Sequence, residues 1–392
     1  PPPPTHTFRG LFRQMHKGTG GDERMASSDA RGRLVSHING ESHAGRDLMT
    51  KGWTIVRVCS SEEAAELAGR VHDDLERLGT GIDRHDTRTW TADRWPQTTH
   101  GLIQNQGSGL WPSVCAARLK TRWVWETELF SGPCIASWDA LSFAKPTYQA
   151  YAAKHGWDAD APTLSSWLHT DQAKHKPQLL HHIQGALALT ALGAAELRTQ
   201  IVAPPEGETA QAFRDRFLAA FPPPPLDQKK RKKGFDAERE EWIAHTADEK
   251  RWLADNGTPV APQLEAGEMV LWASGMPHAS VAGTLPANQD THNPRISVFV
   301  SALPRRILSH AEVKYRQALL EKGVTSGHRV CEPGVRAGTF RQCLFSRIGR
   351  VYEGRRVPEY ADIALKDFAR ADASVDAVHA GTAHFCGGYP RP

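Results

Sequence analysis

Apolar residues along this chain follow two rhythms. From Ser60 to Leu78 they recur at three- and four-residue steps, through Ala64, Leu67, Val71, Leu75 and Leu78, one stripe of an amphipathic helix. Ser60 or Ser61 is placed to cap it, with Glu62 and Glu63 in the first turn, where carboxylates meet the positive end of the helix dipole. Elsewhere the apolar residues alternate or come in short runs. Residues 53–58, 135–143, 181–190, 196–203, 268–273 and 295–300 read as strands. In 181–190, Gln184, Ala186, Ala188 and Thr190 share one face, while Ile183, Gly185, Leu187 and Leu189 share the other, because side chains on a strand alternate. A mostly polar, loop-like stretch covers 80–109, with a Gly-bounded turn or pocket-mouth segment at 101–107. A basic helix at 112–130 follows, with Arg118, Lys120 and Arg122 on a solvated face.

The pattern divides the chain into three parts. Residues 1–45 are rich in Pro, Gly, Ser, His and Arg without periodicity and read as a disordered or extended arm. Residues 46–308 read as the main domain, interrupted by a helical insertion at 204–261. The insertion holds a helix at 209–221, the break Pro222-Pro223-Pro224-Pro225, and the basic run from Lys229 to Lys233. A second helix follows at 236–255, with Trp242 and Leu253 on one side. An insertion between core strands often forms a lid or a partner surface. Residues 309–392 read as a helical extension packed on the core. It has an amphipathic helix at 309–322, a Gly- and Arg-rich tail, an apolar patch at Leu344 and Phe345, and a short helix at 360–368.

Composition narrows the picture. At 392 residues, 40% hydrophobic, the chain can bury a sizeable core in one large or two ordinary domains. Lys and Arg total 48 against 44 Asp and Glu, a net charge of +4, too mild to imply nucleic-acid binding by itself. The basic run fits a solvated loop, or else a patch for phosphate groups, nucleic acid or a protein partner. The six cysteines (Cys59, Cys115, Cys134, Cys331, Cys343, Cys386) show no CxxC pair and no zinc-like spacing, as expected of reduced thiols in an intracellular, cytoplasmic protein. No segment approaches the roughly 18 uninterrupted apolar residues of a membrane span. The first residue is Pro1, so an upstream targeting signal stays open.

The candidate chemistry centres on Trp167-Leu168-His169-Thr170-Asp171-Gln172. On a strand, His169 and Asp171 point to one face, and an imidazole with a carboxylate makes two thirds of a facial triad for non-haem Fe(II). The third ligand is expected at His278, just past the apolar strand Glu268–Ala273 and the break from Gly275 to Pro277. Arg295 and Ser297 share a face of the next strand, and arginine suits bidentate binding of a carboxylate. Gln184 is expected to point inward beside them, whereas adjacent His181 and His182 face opposite sides of their strand and fit surface or supporting roles. Lys145 and Tyr148 are candidates for the pocket mouth. His-x-Asp alone also fits a solvated surface turn; the ordered set is far more specific.

Across residues 50–304 these motifs resemble the Fe(II)/2-oxoglutarate dioxygenases of the phytanoyl-CoA dioxygenase-like group. Lys51-Gly52-Trp53-Thr54-Ile55-Val56 is similar to the strand that opens the family's domain. Trp123 to Phe130 and the Ser137-Trp138-Asp139 strand before the iron motif belong to the likeness. Two features depart from it: Gly193-Ala194-Ala195-Glu196 and Ala203-Pro204-Pro205 replace the family's usual turn, and the gap from His278 to Arg295 is longer. The resemblance implies a mostly β core with flanking helices, a double-stranded β-helix (jelly roll, cupin-like). It implies Fe(II) on His169, Asp171 and His278 as the catalytic set. It further implies 2-oxoglutarate on Arg295 and Ser297 with Gln184 beside it, dioxygen as co-substrate, and hydroxylation of a small molecule. A nucleic-acid or protein side-chain hydroxylase using the basic insertion, and a non-catalytic binding protein on the same fold, are the alternatives.

Overall fold

The computed structural model describes residues 34–91, 94–96, 98–99, 101–103, 108–144, 164–223, 242–281, 294–310, 312–313, 328 and 330. Outside the described residues lie the arm up to residue 33, residues 104–107, Lys145 and Tyr148. So do the basic run from Lys229 to Lys233, most of the helix expected at 309–322, and the tail with Cys331, Cys343 and Cys386.

In chain order the elements are helix α1 (His43–Thr50), strand β1 (Trp53–Arg57), helix α2 (Ser61–Arg77), β2 (Thr98–Thr99) and β3 (Leu102–Ile103). Helix α3 (Pro112–Lys120) and a π-helical turn (Val124–Leu129) lead to β4 (Cys134–Ala136) and β5 (Leu141–Ala144). Next come β6 (His169–Thr170), β7 (Ile183–Ala188), β8 (Arg198–Ala203), helix α4 (Ala210–Ala220), β9 (Ile243–Ala244) and helix α5 (Ala247–Asn256). The chain closes with β10 (Thr258–Val260), β11 (Glu268–Ala273), β12 (His278–Val281) and β13 (Arg295–Pro304). The result is mostly sheet with flanking helices.

The strands form two sheets, and every pairing is antiparallel among the described residues. The larger runs β1-β11-β7-β13-β5-β3-β2, with β4 on β13; the smaller runs β10-β8-β12-β6-β9. From β5 onward the chain crosses between them repeatedly: β5, β7, β11 and β13 lie in the larger sheet, and β6, β8, β12 in the smaller. Both faces of the central strands are covered, so β7 and β8 are buried at all six positions rather than alternating. Gly185 makes this packing possible in β7: a Cβ there would lie 3.0 Å from both Leu271 Cδ2 and Met269 Sδ. Gly267, at φ +89°, turns the chain into β11 where a Cβ would meet the Cys59 carbonyl at 2.3 Å, a conformation and a contact only glycine tolerates.

Helix α2 begins in a reciprocal cap: Ser60 Oγ accepts from Glu63 N at 3.2 Å and the Glu63 carboxylate accepts from Ser60 N at 3.0 Å, satisfying two orphan donors. Its buried stripe is Ala64, Leu67, Ala68, Val71 and Leu75. Helices α4 and α5 lie over the smaller sheet, where Phe213, Phe217 and Leu253 pack with Leu168, Val202 and Ala279. Among the described residues no helix is long and apolar enough to cross a membrane.

Several expectations need correction. Arg118, expected on a solvated face, is fully buried and donates to the carbonyls of Gly109 and Asp139 at 3.0 Å each. The arm expected through residue 45 gives way by Leu34 to ordered chain: Leu34 is fully buried in a 3-10 turn and Ser42 Oγ caps α1. The single strand expected at 135–143 is two, β4 and β5, because Ser137 pairs out with Ser301 and 137–140 leaves the ladder. Of the stretch expected to be helical over 236–255, residues 236–241 lie outside the described residues, and among the rest the helix runs Ala247–Asn256, started by a Thr246–Glu249 capping box. Ile243 and Ala244 pair instead with β6, so Trp242 precedes the helix and does not share its face.

Candidate metal centre

β6 and β12 are neighbours, and His169 sits directly opposite His278. Their rings approach to 4.4 Å. Each imidazole is fixed in the same way: His169 Nδ1 lies 2.9 Å from the Trp167 carbonyl and His278 Nδ1 2.9 Å from the Met276 carbonyl. A carbonyl only accepts, so each Nδ1 carries a proton and each Nε2 is the nitrogen turned toward Asp171. The turn before His278 is shaped by Met276 N donating to Ala273 O, which ends β11 and starts β12 on the opposite sheet.

Asp171 completes the group. Its Oδ2 lies 3.2 Å from His278 Nε2 and 3.8 Å from His169 Nε2, and one ligand atom from each of the three falls within 4.8 Å of the others. The backbone of Asp171 is tied to the turn that carries His278, through its N–H to Ser274 O at 3.2 Å. Burial, with His278 beside it, pushes His169 down to about 3, so its ring is neutral at physiological pH. Burial works against the Asp171 charge, but the surrounding groups, His328 foremost and then the neighbouring imidazoles, prevail and hold it well below the usual carboxylate range. Neutral imidazole and ionised carboxylate are the forms a metal requires.

The other expected residues fall around this group. Gln184 Nε2 donates to Asp171 Oδ2 at 2.9 Å, so it orients the carboxylate directly. Arg295 is 1% exposed and its Nη1 donates to Ser280 Oγ at 3.2 Å. Ser280 lies two residues beyond His278, on the same face of β12 and roughly 7 Å further along it, so the guanidinium shares the interior with the three ligands. Ser297, one step along the same face of β13, is buried with its Oγ unpartnered. His181 and His182 stay outside the ligand group; His182 Nε2 instead meets the His328 carbonyl at 2.6 Å.

Several residues at the site carried no sequence signal. Trp167 and Trp242 flank His169, with ring centres 4.7 and 5.6 Å away, and Trp272 lies 5.2 Å from His278. Trp272 pairs across the sheet with Gln184, and its buried Nε1, like Gln184 Oε1, has no partner. Trp272 Nε1 and Gln184 Oε1 are therefore buried polar atoms beside the triad without a hydrogen bond, and Ser297 Oγ is a third, further along β13. A divalent metal on the triad with a small polar co-ligand fits this lining.

No protein-family model matches the chain, and no curated protein matches it. Solved structures do. The epimerase SnoN, in complex with Fe3+, alpha ketoglutarate and nogalamycin RO, aligns at 12% identity over 70% of this chain and 84% of its own, with a TM-score of 0.31. A putative oxidoreductase from Salmonella typhimurium LT2 aligns at 13% identity over 92% and 95%, with a TM-score of 0.41. EctD from S. alaskensis in its apoform aligns at 13% identity over 69% and 76%, with a TM-score of 0.37. Scores this low leave the reading of the site to its own geometry.

Proposed function

We propose that the chain is an Fe(II)- and 2-oxoglutarate-dependent oxygenase on a double-stranded β-helix, acting on a small molecule. The observation that carries this reading is the convergence of His169, Asp171 and His278 to within 4.8 Å on two paired strands, with Arg295 buried in the same interior. Two histidines and one carboxylate leave open positions on a divalent iron. Bound there, iron supplies dioxygen activation coupled to oxidative decarboxylation of 2-oxoglutarate.

The chain's own residues do the rest. The carbonyls of Trp167 and Met276 hold both imidazoles in the Nδ1–H tautomer, and Gln184 fixes the Asp171 carboxylate. Arg295, aligned by Ser280, offers a fork for the far carboxylate of the co-substrate, and Ser297 adds a hydroxyl. Trp272 borders His278 and limits water.

The test is Fe(II)-dependent release of succinate from 2-oxoglutarate by the full chain, with a panel of small molecules added to find one that stimulates it. Turnover that needs iron and is lost in Asp171→Ala supports the oxygenase. Metal binding without 2-oxoglutarate turnover would favour a non-catalytic binding protein on this fold.

A further inference from the structure

Helix α4 meets the smaller sheet from outside, and its Arg214 reaches past the apolar contacts to the loops that carry two of the three ligands. The side chain is 5% exposed. Nε donates to Pro177 O at 3.2 Å, Nη2 to Lys176 O at 2.7 Å and to Ala173 O at 3.5 Å, and Nη1 to Gly275 O at 3.0 Å. The first three carbonyls lie two to six residues after Asp171; the fourth lies three residues before His278. Gln211, one turn earlier on the same face, accepts from Leu179 N at 2.8 Å and donates to Pro177 O at 3.0 Å. Inside the loop, Gln172 Nε2 donates to Lys176 O and Gln178 O. Gln172 Oε1 in turn accepts from Ser274 Oγ at 2.7 Å. The loop after Asp171 and the turn before His278 are thus joined by side chains through Gln172–Ser274 and through the guanidinium, beside the backbone bonds from Asp171 N to Ser274 O and from Gly275 N to Leu179 O.

We infer that Arg214 is a positioning residue for the metal centre: one guanidinium, added to the direct bonds between them, fixes the segment bearing Asp171 against the segment bearing His278. Among the described residues it makes no ion pair; carbonyl dipoles meet its donors, and burial outweighs the favourable charge of nearby Asp215 and brings its pKa down to about 10. A buried cation with no ion-pair partner adds little net stability. What the planar fork adds is direction, since its donors hold two separate segments at fixed angles. The apolar contacts that seat α4 include Leu168 and Ala279, the neighbours in sequence of His169 and His278, so the helix that supplies the fork is registered on the ligand strands themselves. Part of the stretch expected to act as a lid or partner surface thus braces the site.

The inference rests on the metal reading, and Co(II) separates the two. The full chain is titrated with Co(II) while its d–d absorption is followed, and the metal-free Tm is measured alongside. Arg214→Met is expected to weaken Co(II) binding by about tenfold or more, in the range typical of partners that orient ligands, and to change the d–d bands. Arg214→Lys, a point donor that cannot span both segments, should fall between that variant and the parent. Leu75→Ala, in α2 and the core of the larger sheet, destabilises the chain away from the clamp; it should lower Tm while leaving Co(II) affinity at the parental value below the transition. Parental affinity in Arg214→Lys, or equal weakening in Leu75→Ala and Arg214→Met, overturns the assignment. Should Arg214→Met not fold, the Arg214→Lys and Leu75→Ala comparison decides alone. Failure of the parent chain to bind Co(II) overturns the metal reading, before any variant is compared.

Discussion

The two sheets share one pairing scheme and differ in what they present to each other. In the larger sheet β7 and β11 have six residues and β13 has ten. Their buried side chains are mainly aliphatic and join one extended core. In the smaller sheet β6 has two residues and β12 four, and their inward positions are His169, His278 and Ser280. Long apolar strands gain stability from area removed from water. Short strands with polar inner faces gain little, so they depend on what lies behind them: α4, α5 and the Arg214 clamp. The fold separates most of its stability, held by the larger sheet, from the three converging residues, held on and beside the smaller, with Gln184, Arg295 and Ser297 reaching in from the larger.

The sharpest way to break that division is to damage each sheet in turn. Asp171→Ala or His278→Ala should abolish iron-dependent turnover and metal binding while the metal-free Tm stays near the parental value, since open-site ligands carry little of the core. Leu271→Ala should do the reverse. Leu271 is fully buried on β11 between β1 and β7, and removing its side chain costs about 2–5 kcal/mol. Denaturant unfolding should show that loss, and folded protein should still bind metal. A large stability loss in Asp171→Ala, or metal loss in folded Leu271→Ala, would erase the distinction.

A smaller effect is expected where the sheets meet. Arg295 belongs to the larger sheet yet hydrogen-bonds Ser280 of the smaller. Charge-assisted hydrogen bonds are worth about 1.5–3 kcal/mol, so Arg295→Lys should raise KM for 2-oxoglutarate by about tenfold to a hundredfold, with a lesser effect on kcat. Arg305 and Arg306 follow β13 and donate to the carbonyls of Leu308 and Phe130, so alanine at either should leave that constant unchanged. A larger rise in Arg306→Ala than in Arg295→Lys would place the carboxylate fork elsewhere.

The same division explains what could be read from the chain. The larger sheet announces itself because Met269-Val270-Leu271-Trp272 and Ile183 to Ala188 are long enough to show a pattern. The three converging residues are legible for a different reason: His169 and Asp171 are two apart, and His278 follows a strand and a break. The supports of the smaller sheet are illegible. Ile243–Ala244 and Thr258–Val260 are too short for any periodicity, and their pairing is decided by β6 and β8. Arg214 reads as a solvated charge on a helix face, because nothing local says which face meets the loops. One signal was present and passed over: Thr246 with Glu249 three residues on marks the true start of α5.

The finest test uses two caps of the same design, one on each side of the division. Ser60 with Glu63 starts α2 beside the larger sheet, and Thr246 with Glu249 starts α5 behind the smaller. Ser60→Ala and Thr246→Ala should each cost about 1 kcal/mol of stability. They should differ at the metal. Glu249 also binds Lys174, which lies three residues beyond Asp171, so fraying the first turn of α5 should weaken Co(II) binding a few-fold, whereas Ser60→Ala should leave it alone. Acid gives an independent reading. Burial opposes the Glu249 charge, but His245 and Lys174 override it and bring the carboxyl from 4.5 to about 2. A carboxyl depressed in the folded state contributes stability above its unfolded value and loses it as pH falls through the folded one. The metal-free Tm of the parent chain should therefore drop more steeply between pH 4.5 and 2 than that of Glu249→Gln, which has no such charge to lose. Equal slopes, or a loss of Co(II) affinity in Ser60→Ala matching that in Thr246→Ala, would mean that the helices behind the smaller sheet have no privileged connection to the ligands.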